Sequence, residues 1–450
     1  MTDSGDGLSR KLGLFPVTSI VIANMIGAGI FTTSGLLMAD LQNALLMILL
    51  WIVAGIIALC GALCYGEVGA AIPEAGGEYV FLSRLFSPVL GFLSGWLSFF
   101  AGFSAPIAFS AIGCIEYLTR AFPGLLSLGL IDGEVEALVV KKGLAILVII
   151  LFSLIHTRGI VFGTRIQNVL TVMKVGLIIG LVLFGLAAGS GESGSLSTSV
   201  SSAHFPGWKV IGLSLMWIMF AYSGWNAAAY IGSEIKDPGT NLPRSLLIGT
   251  ALVVVLYVAI NLFYVVSIPA GEMEGVISVA GLAAGRAFGP AFETVISLLI
   301  FFALFSSLSA FIILGPRVYF SMARDRCFFS FAARIHPIYK VPHWSILLQG
   351  AIAAVMVVLG TFEQVLTYMG FSLGIFPILV VFGVFKLRRS GGSSFRMPGY
   401  PIVPLVYIVA STSILILAFL ERPVVSSIAL FVTALGVPVF YLFKRRRQDA

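Results

Sequence analysis

The stretch MIGAGIF at residues 25–31 sets Gly27, Ala28 and Gly29 in the middle of an apolar run long enough to cross a membrane. A second apolar run, WIMFAYSGWNAAAYIG at 217–232, is interrupted in the same manner by Ser223, Gly224, Trp225 and Asn226. A helix unwound at such a place frees backbone N–H groups at the start of one half and C=O groups at the end of the other, at mid-membrane depth. The N–H end attracts an anion and the C=O end a cation. A zwitterion with both charges on neighbouring carbons answers both ends at once, and glycine lets its carboxylate touch bare backbone. The chemistry implied is recognition of an α-amino acid without charged side chains. Gly-Ala-Gly also suits close helix packing, and the first run alone leaves both readings open. The second interruption favours the binding reading, because paired breaks in corresponding segments mark an inverted-repeat carrier.

The elements that must position these breaks follow from composition. Of 450 residues, 59% are hydrophobic and 10% charged, and the mean hydropathy is +1.05. Such a chain is a polytopic membrane protein. Twelve apolar runs recur, each near the ~20 residues that span a bilayer as helix, and no strand-like alternation supports a barrel. The expected fold is therefore all-α, with twelve transmembrane helices. Its organisation is a terminal segment at 1–14, five helices at 15–189, five more at 207–385, a linker at 386–402, two helices at 403–443 and a basic tail at 444–450. The first run is too long for a signal-peptide core and no small-residue cleavage pattern follows it, so the N-terminus is expected to be retained.

Most of the 27 Lys and Arg residues fall on segments that share one side when both termini are placed inside, which orients both termini toward the cytoplasm of a cell membrane. The net charge of +7 is thereby topology rather than nucleic-acid binding, and the KRRR run at 444–447 meets anionic lipid. Cys60, Cys64, Cys114 and Cys327 show no disulfide or metal spacing. His156, His204, His336 and His343 are scattered over both sides, so neither a metal nor another cofactor is expected.

The motif IANMIGAGIFTTSG resembles the first-helix signature of the amino acid–polyamine–organocation superfamily. YGEVGAAIPEAGGEYVFLSRLFSP resembles that family's second-helix exit and first inner loop, and FAYSGWNAAAYIGSEIKDPGTNLPRSL its sixth helix. Within the superfamily the Trp-Asn pair is most similar to the L-type, sodium-independent neutral amino acid transporters. The resemblance implies a leucine-transporter-type fold of two inverted five-helix repeats with helices one and six broken. It implies that backbone N–H groups around Gly27, Ala28 and Gly29 hold the substrate carboxylate. Carbonyls of Met25 and Phe220, with Ile26 beside them and a group at Ser223, would hold the amino group. Phe220 would close the site as an aromatic gate, and Gly224, Trp225 and Asn226 would shape the side-chain pocket, where NAAAY puts alanines in place of the bulk common in relatives. Family members with a covalent heavy-chain partner carry a cysteine in the outer loop after helix three; residues 118–141 contain none, so no disulfide-linked heavy chain is expected.

Among ionisable groups in the spans, Glu67, Glu116, Glu234, Glu293 and Arg317 lie near ends, where water is expected to reach them. Lys174 does not. It lies ~15 Å along a helix from Thr164, half-way through a hydrocarbon core of ~30 Å, too deep for a lysine stem of ~6 Å to snorkel. Its ammonium is placed to bond carbonyls freed near Gly27 and hydroxyls of Ser306, Ser307 or Ser309. The family resemblance implies that it replaces the bound cation of sodium-coupled relatives. A fixed cation gives exchange and a titrating one gives proton coupling, and both remain open.

Four further stretches carry weaker expectations. IPEAGGEYVFLSRLF reads as an interfacial helix and, by resemblance, part of an inner gate. KDPGTNLPRS reads as a capped turn with Glu234 and Arg244 pairing. EGVISVAGLAAGRAFG reads as a lid or a packed loop on the outer side. KLRRSGGSSFRMPGY reads as a flexible basic linker, and the two helices after it as scaffold or homodimer contact.

The function expected is alternating-access transport of neutral L-α-amino acids. The nearest rival is transport of cationic amino acids or polyamines, disfavoured because no acidic residue lies deep in a span. A membrane enzyme lacks a nucleophile, metal or acid–base cluster at one depth, and a channel lacks rings of polar positions.

Overall fold

The computed structural model describes residues 10–122, 125, 133–158, 160–188, 206–276, 279–359 and 362–448. Among these residues the chain is helical, with two isolated β-bridges, Leu12 with Ile235 and Ala75 with Ile231, and no strand. Ten helical segments are long and apolar enough to cross a membrane, which makes this a multi-pass membrane protein. The sixth and ninth expected runs form shorter apolar helices, Trp208–Ala221 and His343–Val358. Outward faces are apolar: Leu183, Phe184, Val255 and Leu420 are exposed where a soluble protein would present charge, the arrangement a hydrocarbon solvent selects.

The first run divides into α1 (Leu14–Met25) and α2 (Ala28–Leu41). The Asn43 side chain accepts from the Leu46 N–H at 2.9 Å and so caps α3 (Ala44–Ala71). A short helix, α4 (Glu78–Leu85), precedes α5 (Pro88–Leu97), where Ser87 caps and Pro88 takes the first turn. The third span passes through a π-turn at Ser98–Ser104 before α6 (Ala105–Ala121). Pro106 has no N–H for the carbonyl one turn back, and the Ser104 hydroxyl donates to the Phe99 carbonyl at 2.6 Å across the widened turn. Then come α7 (Gly133–Thr157), α8 (Ile160–Ala188) and α9 (Trp208–Ala221). After two 3-10 turns follow α10 (Pro238–Ser267), the single turn α11 (Ala270–Met273), α12 (Val279–Phe288) and α13 (Pro290–Arg324). The last four are α14 (His343–Leu359), α15 (Phe362–Arg389), α16 (Ile402–Glu421) and α17 (Pro423–Gln448). Helices α1, α8, α10 and α13 pack together around the first break.

Several charged residues expected to be wet are buried and paired. Arg317 donates to Glu234 through Nε at 2.9 Å and Nη2 at 3.3 Å, with both side chains almost fully buried. Glu234 therefore pairs across to α13 and not with Arg244. Glu67 is fully buried and accepts twice from Arg388 at 2.7 Å and once from the Met397 N–H at 2.9 Å. Those bonds, with Ser393 donating to the Glu67 carbonyl at 3.1 Å, pin the 386–402 linker over the end of α3, so it is not the flexible segment its Gly-Ser content implies. Glu116 does lie at a span end, paired with Lys141 at 2.9 Å, and the Glu293 side chain lies outside the described residues.

On the same side of the bundle the inner loop is inserted rather than interfacial. Tyr79, Val80, Phe81 and Leu82 of α4 are buried. The Lys11 and Leu12 N–H groups donate to the Glu234 carbonyl at 3.0 Å, the Gly76 N–H donates to the Tyr230 carbonyl at 3.1 Å, and the Ser321 hydroxyl donates to the Ala75 carbonyl at 2.6 Å. These contacts close that side of the protein. On the opposite side the Gly275 N–H donates to the Gly35 carbonyl at 2.8 Å, which seats the segment leading to α12 against α2; residues 277 and 278 of the expected lid lie outside the described residues.

Candidate binding site at the two helix breaks

The first break is two residues wide. Ile26 (φ −74°, ψ 90°) and Gly27 (φ −115°, ψ −162°) are extended between α1 and α2. The first-turn N–H groups of α2 have no partner within the helix. A small cavity lies there, walled by Met25, Gly27, Ala28, Gly29, Phe220 and Ser223. Ile26 walls no cavity at the breaks; it is fully buried, and its carbonyl faces Lys174 instead.

The second break is longer. Helix α9 ends at Ala221, and Gly224 adopts φ +99°, a left-handed conformation that favours glycine. A Cβ there would lie 2.3 Å from the Asn24 amide nitrogen, so the turn also needs the missing side chain. Beyond it the chain runs as 3-10 turns, Ala227–Tyr230 and Gly232–Glu234, rather than a second α-helical half. Gly232 is pressed against Pro73 and Glu74, and Ile231 bridges to Ala75, so contact with the inner loop draws this segment out of α geometry. The breaks touch directly: a Cβ on Gly29 would sit 3.0 Å from both Cα and Cβ of Ala221.

Tyr257 on α10 joins the two carbonyl ends. Its hydroxyl lies 2.7 Å from the Met25 carbonyl and 3.1 Å from the Ala221 carbonyl, and its single hydrogen is shared between them. Part of the acceptor capacity expected for a substrate amino group is thus already used, and the hydroxyl sets the spacing of the remainder. Tyr257→Phe should keep the protein folded and lower transport about fivefold, the effect of losing ~1 kcal/mol of neutral hydrogen bonding. Uptake by purified protein in liposomes, at equal reconstituted amounts, measures it.

A larger cavity opens beyond the second break. Phe220 and Ser223 wall both cavities, which sets the Phe220 ring between them, edge-on to Phe109 at 6.1 Å. Trp225 and Asn226 wall the larger cavity. Trp225 is held edge-on to Tyr65 at 4.8 Å and Tyr407 at 5.7 Å. Asn226 is tied down by donating to Glu78 at 2.8 Å.

Two wall residues escaped the sequence reading. Asn24 walls both cavities, is 5% exposed, and its amide oxygen is buried with no hydrogen-bond partner. An amide one turn before the break in an apolar run was the available signal. Glu78 also walls the larger cavity and is 6% exposed. Its position in a loop gave no sign of such depth, so the premise that no acidic residue comes near the site is corrected.

Lys174 sits where its depth required. It is fully buried, and its ammonium donates to the Ala23 carbonyl at 3.1 Å, to the Ile26 carbonyl and to the Ser307 hydroxyl at 2.8 Å. Ser307 in turn donates its only hydroxyl hydrogen to the Ile26 carbonyl. Nζ, the Ser307 hydroxyl and the carbonyls that end α1 thus form one buried hydrogen-bonded group. Of the other expected partners, Ser306 lies 3.2 Å from Thr171 and Ser309 lies 2.8 Å from His156 Nε2. Ser307 is the one of the three seen to join the lysine among the described residues.

The arrangement can hold a small zwitterion: N–H groups of α2 on one side, carbonyls closing α1 and α9 on the other, and the buried Lys174 nitrogen behind them. Comparison with known proteins points the same way. The chain is 28% identical to the serine/threonine exchanger SteT of Bacillus subtilis over the full length of both. It is 26% identical to the large neutral amino acids transporter small subunit 2 of Homo sapiens, over 97% of this chain and 81% of that protein. It is 25% identical to the human Asc-type amino acid transporter 1, over 97% of this chain and 82% of that one. The model of the amino acid permease family matches residues 12–442, which take in both breaks, Lys174 and the inner loop, and the chain belongs to that family.

Proposed function

We propose that this protein carries neutral L-α-amino acids across the membrane by alternating access, without sodium. The observation that supports this best is the junction at Lys174: an ammonium, not an exchangeable ion, satisfies the carbonyls that end α1 directly behind the substrate's N–H groups. On this reading 15–189 and 207–385 act as inverted five-helix repeats, both termini face the cytoplasm of a cell membrane, and no disulfide-linked chain is needed. The relatives that match over nearly the whole chain are by name an exchanger of serine and threonine and a transporter of large neutral amino acids, which agrees with a cavity walled by apolar residues with a few polar groups among them.

A second reading, cationic amino acids or polyamines, gains support from Glu78 in the cavity wall. It is weakened because Glu78 Oε1 already accepts from Tyr65 and Asn226, each at 2.8 Å. Inhibition of L-threonine and L-leucine counterflow in proteoliposomes separates the two. Neutral amino acids should compete, while their α-carboxyl amides and des-amino analogues should compete about five- to 100-fold less well, since each strands a helix end at ~1–3 kcal/mol. Equal inhibition by putrescine or lysine would establish the second reading.

A further inference from the structure

Glu78 is the one carboxylate in the cavity wall with no cationic partner in its surroundings. Tyr65 on α3 donates to Oε1 at 2.8 Å, and so does the Asn226 amide from the second break. Ser94 on α5 reaches Oε2 at 3.5 Å, the Tyr230 hydroxyl also hydrogen-bonds to the carboxyl, and Tyr407 is the other phenol facing it. Arg84, on the same short helix, is turned outward to Glu74. Buried carboxylates are ordinarily paired with a cation or protonated. Here Oε1 carries two donors, and the Ser94 contact on Oε2 is long, while the whole group lies away from any cation named around it. The same carboxyl fastens the inner loop to the sixth span, beside the contacts of Ala75 and Gly76 that close this side.

We propose that Glu78 is a proton-binding latch: it takes a proton through the cavity while the inner side is closed and releases it when the loop swings away, so that a proton moves with the amino acid. This rests on the amino acid reading above and adds the coupling ion and its site.

The direction of coupling follows from the closed state. Burial raises the Glu78 carboxyl to about 7, partly opposed by the bonds from Tyr65 and Asn226. Once the loop opens and water reaches it, the carboxyl returns toward the ordinary ~4.3. The closed side thus binds the proton more tightly than the open side. Closure is favoured below about 7 and loses that support as pH rises through it. An inward-moving substrate leaves together with a proton, which is symport.

The test uses full-length protein in liposomes with labelled L-threonine. Counterflow at equal pH on both sides asks only whether the protein carries amino acids; its absence would overturn the function proposed above, and this inference with it. With counterflow established, an inward gradient of one pH unit should drive accumulation, up to about tenfold for one proton per substrate, and acidify the lumen. Glu78→Gln, which keeps an oxygen for Tyr65 and Asn226, should lose the gradient drive and the lumenal acidification, each read against that variant's own counterflow at equal pH. If Glu78→Gln does not transport, Glu78→Asp should show gradient-driven uptake with a shifted pH midpoint. Wild-type counterflow indifferent to the gradient would overturn the proposal. So would full gradient drive in Glu78→Gln, or an unshifted midpoint in Glu78→Asp. Gradient-independent loss of lysine uptake alone in Glu78→Gln would instead assign the carboxyl to a cationic substrate.

Discussion

Lys174→Ala should reduce amino acid counterflow by at least 100-fold while leaving the protein folded and monodisperse in detergent. The ammonium is fully buried and is a donor to the Ala23 and Ile26 carbonyls and to Ser307, which ties α8 and α13 to the end of α1. Alanine removes every one of those donors, and each unmet buried acceptor costs ~1–3 kcal/mol. Even ~3 kcal/mol withheld from the transport-competent arrangement slows it about 100-fold. Lys174→Arg keeps the charge but not the compact donor head, and should also be strongly impaired. The wild type should transport equally in sodium and in choline buffer. Normal counterflow in the alanine variant, or an absolute sodium requirement in the wild type, would show that the lysine is a passive core residue.

Gly29→Val should reduce counterflow to the level of empty liposomes. Even the first carbon of a side chain at this position meets Ala221 at 3.0 Å, closer than nearly all real contacts, and the neighbour is backbone as well as methyl. Valine adds two more methyls, so the start of α2 must move away from the end of α9. Overpacking of this kind costs ~1–3 kcal/mol, and here the displacement falls on the N–H groups that would hold the carboxylate. Gly29→Ala should give an intermediate loss. Binding of labelled amino acid to the detergent-purified variant is the direct check: wild-type affinity in Gly29→Val would place the carboxylate elsewhere. The glycine thus serves both readings raised by its sequence, since close helix packing is what brings the two breaks together.

The positions of both breaks were legible because lipid makes local sequence decisive. A backbone group in hydrocarbon has to find its partner within its own helix, so a Gly-Ala-Gly or Ser-Gly-Trp-Asn interruption announces a place where that rule is relaxed. The depth of Lys174 was legible for the same reason: position along an apolar helix is depth. Pairings of charges were not. Glu234, Arg317 and Glu67 sit near the ends of their runs, and only the folding of loops over those ends turns exposed charge into buried pairs.

The sequence by itself determined the membrane-spanning character of this protein, the two interruptions and the single deep lysine, all of which follow from residue type and distance along one helix. Tertiary structure decided what surrounds them. It brought Ser307 to Lys174, and placed the Tyr257 hydroxyl between two carbonyl ends. It drew the inner part of the sixth span into 3-10 turns and carried Glu78 from a loop into the cavity wall. Each of these is a contact between segments far apart in the chain. Hydropathy and spacing report how each segment meets its solvent, and they carry no information about which side chain of one segment will find which atom of another.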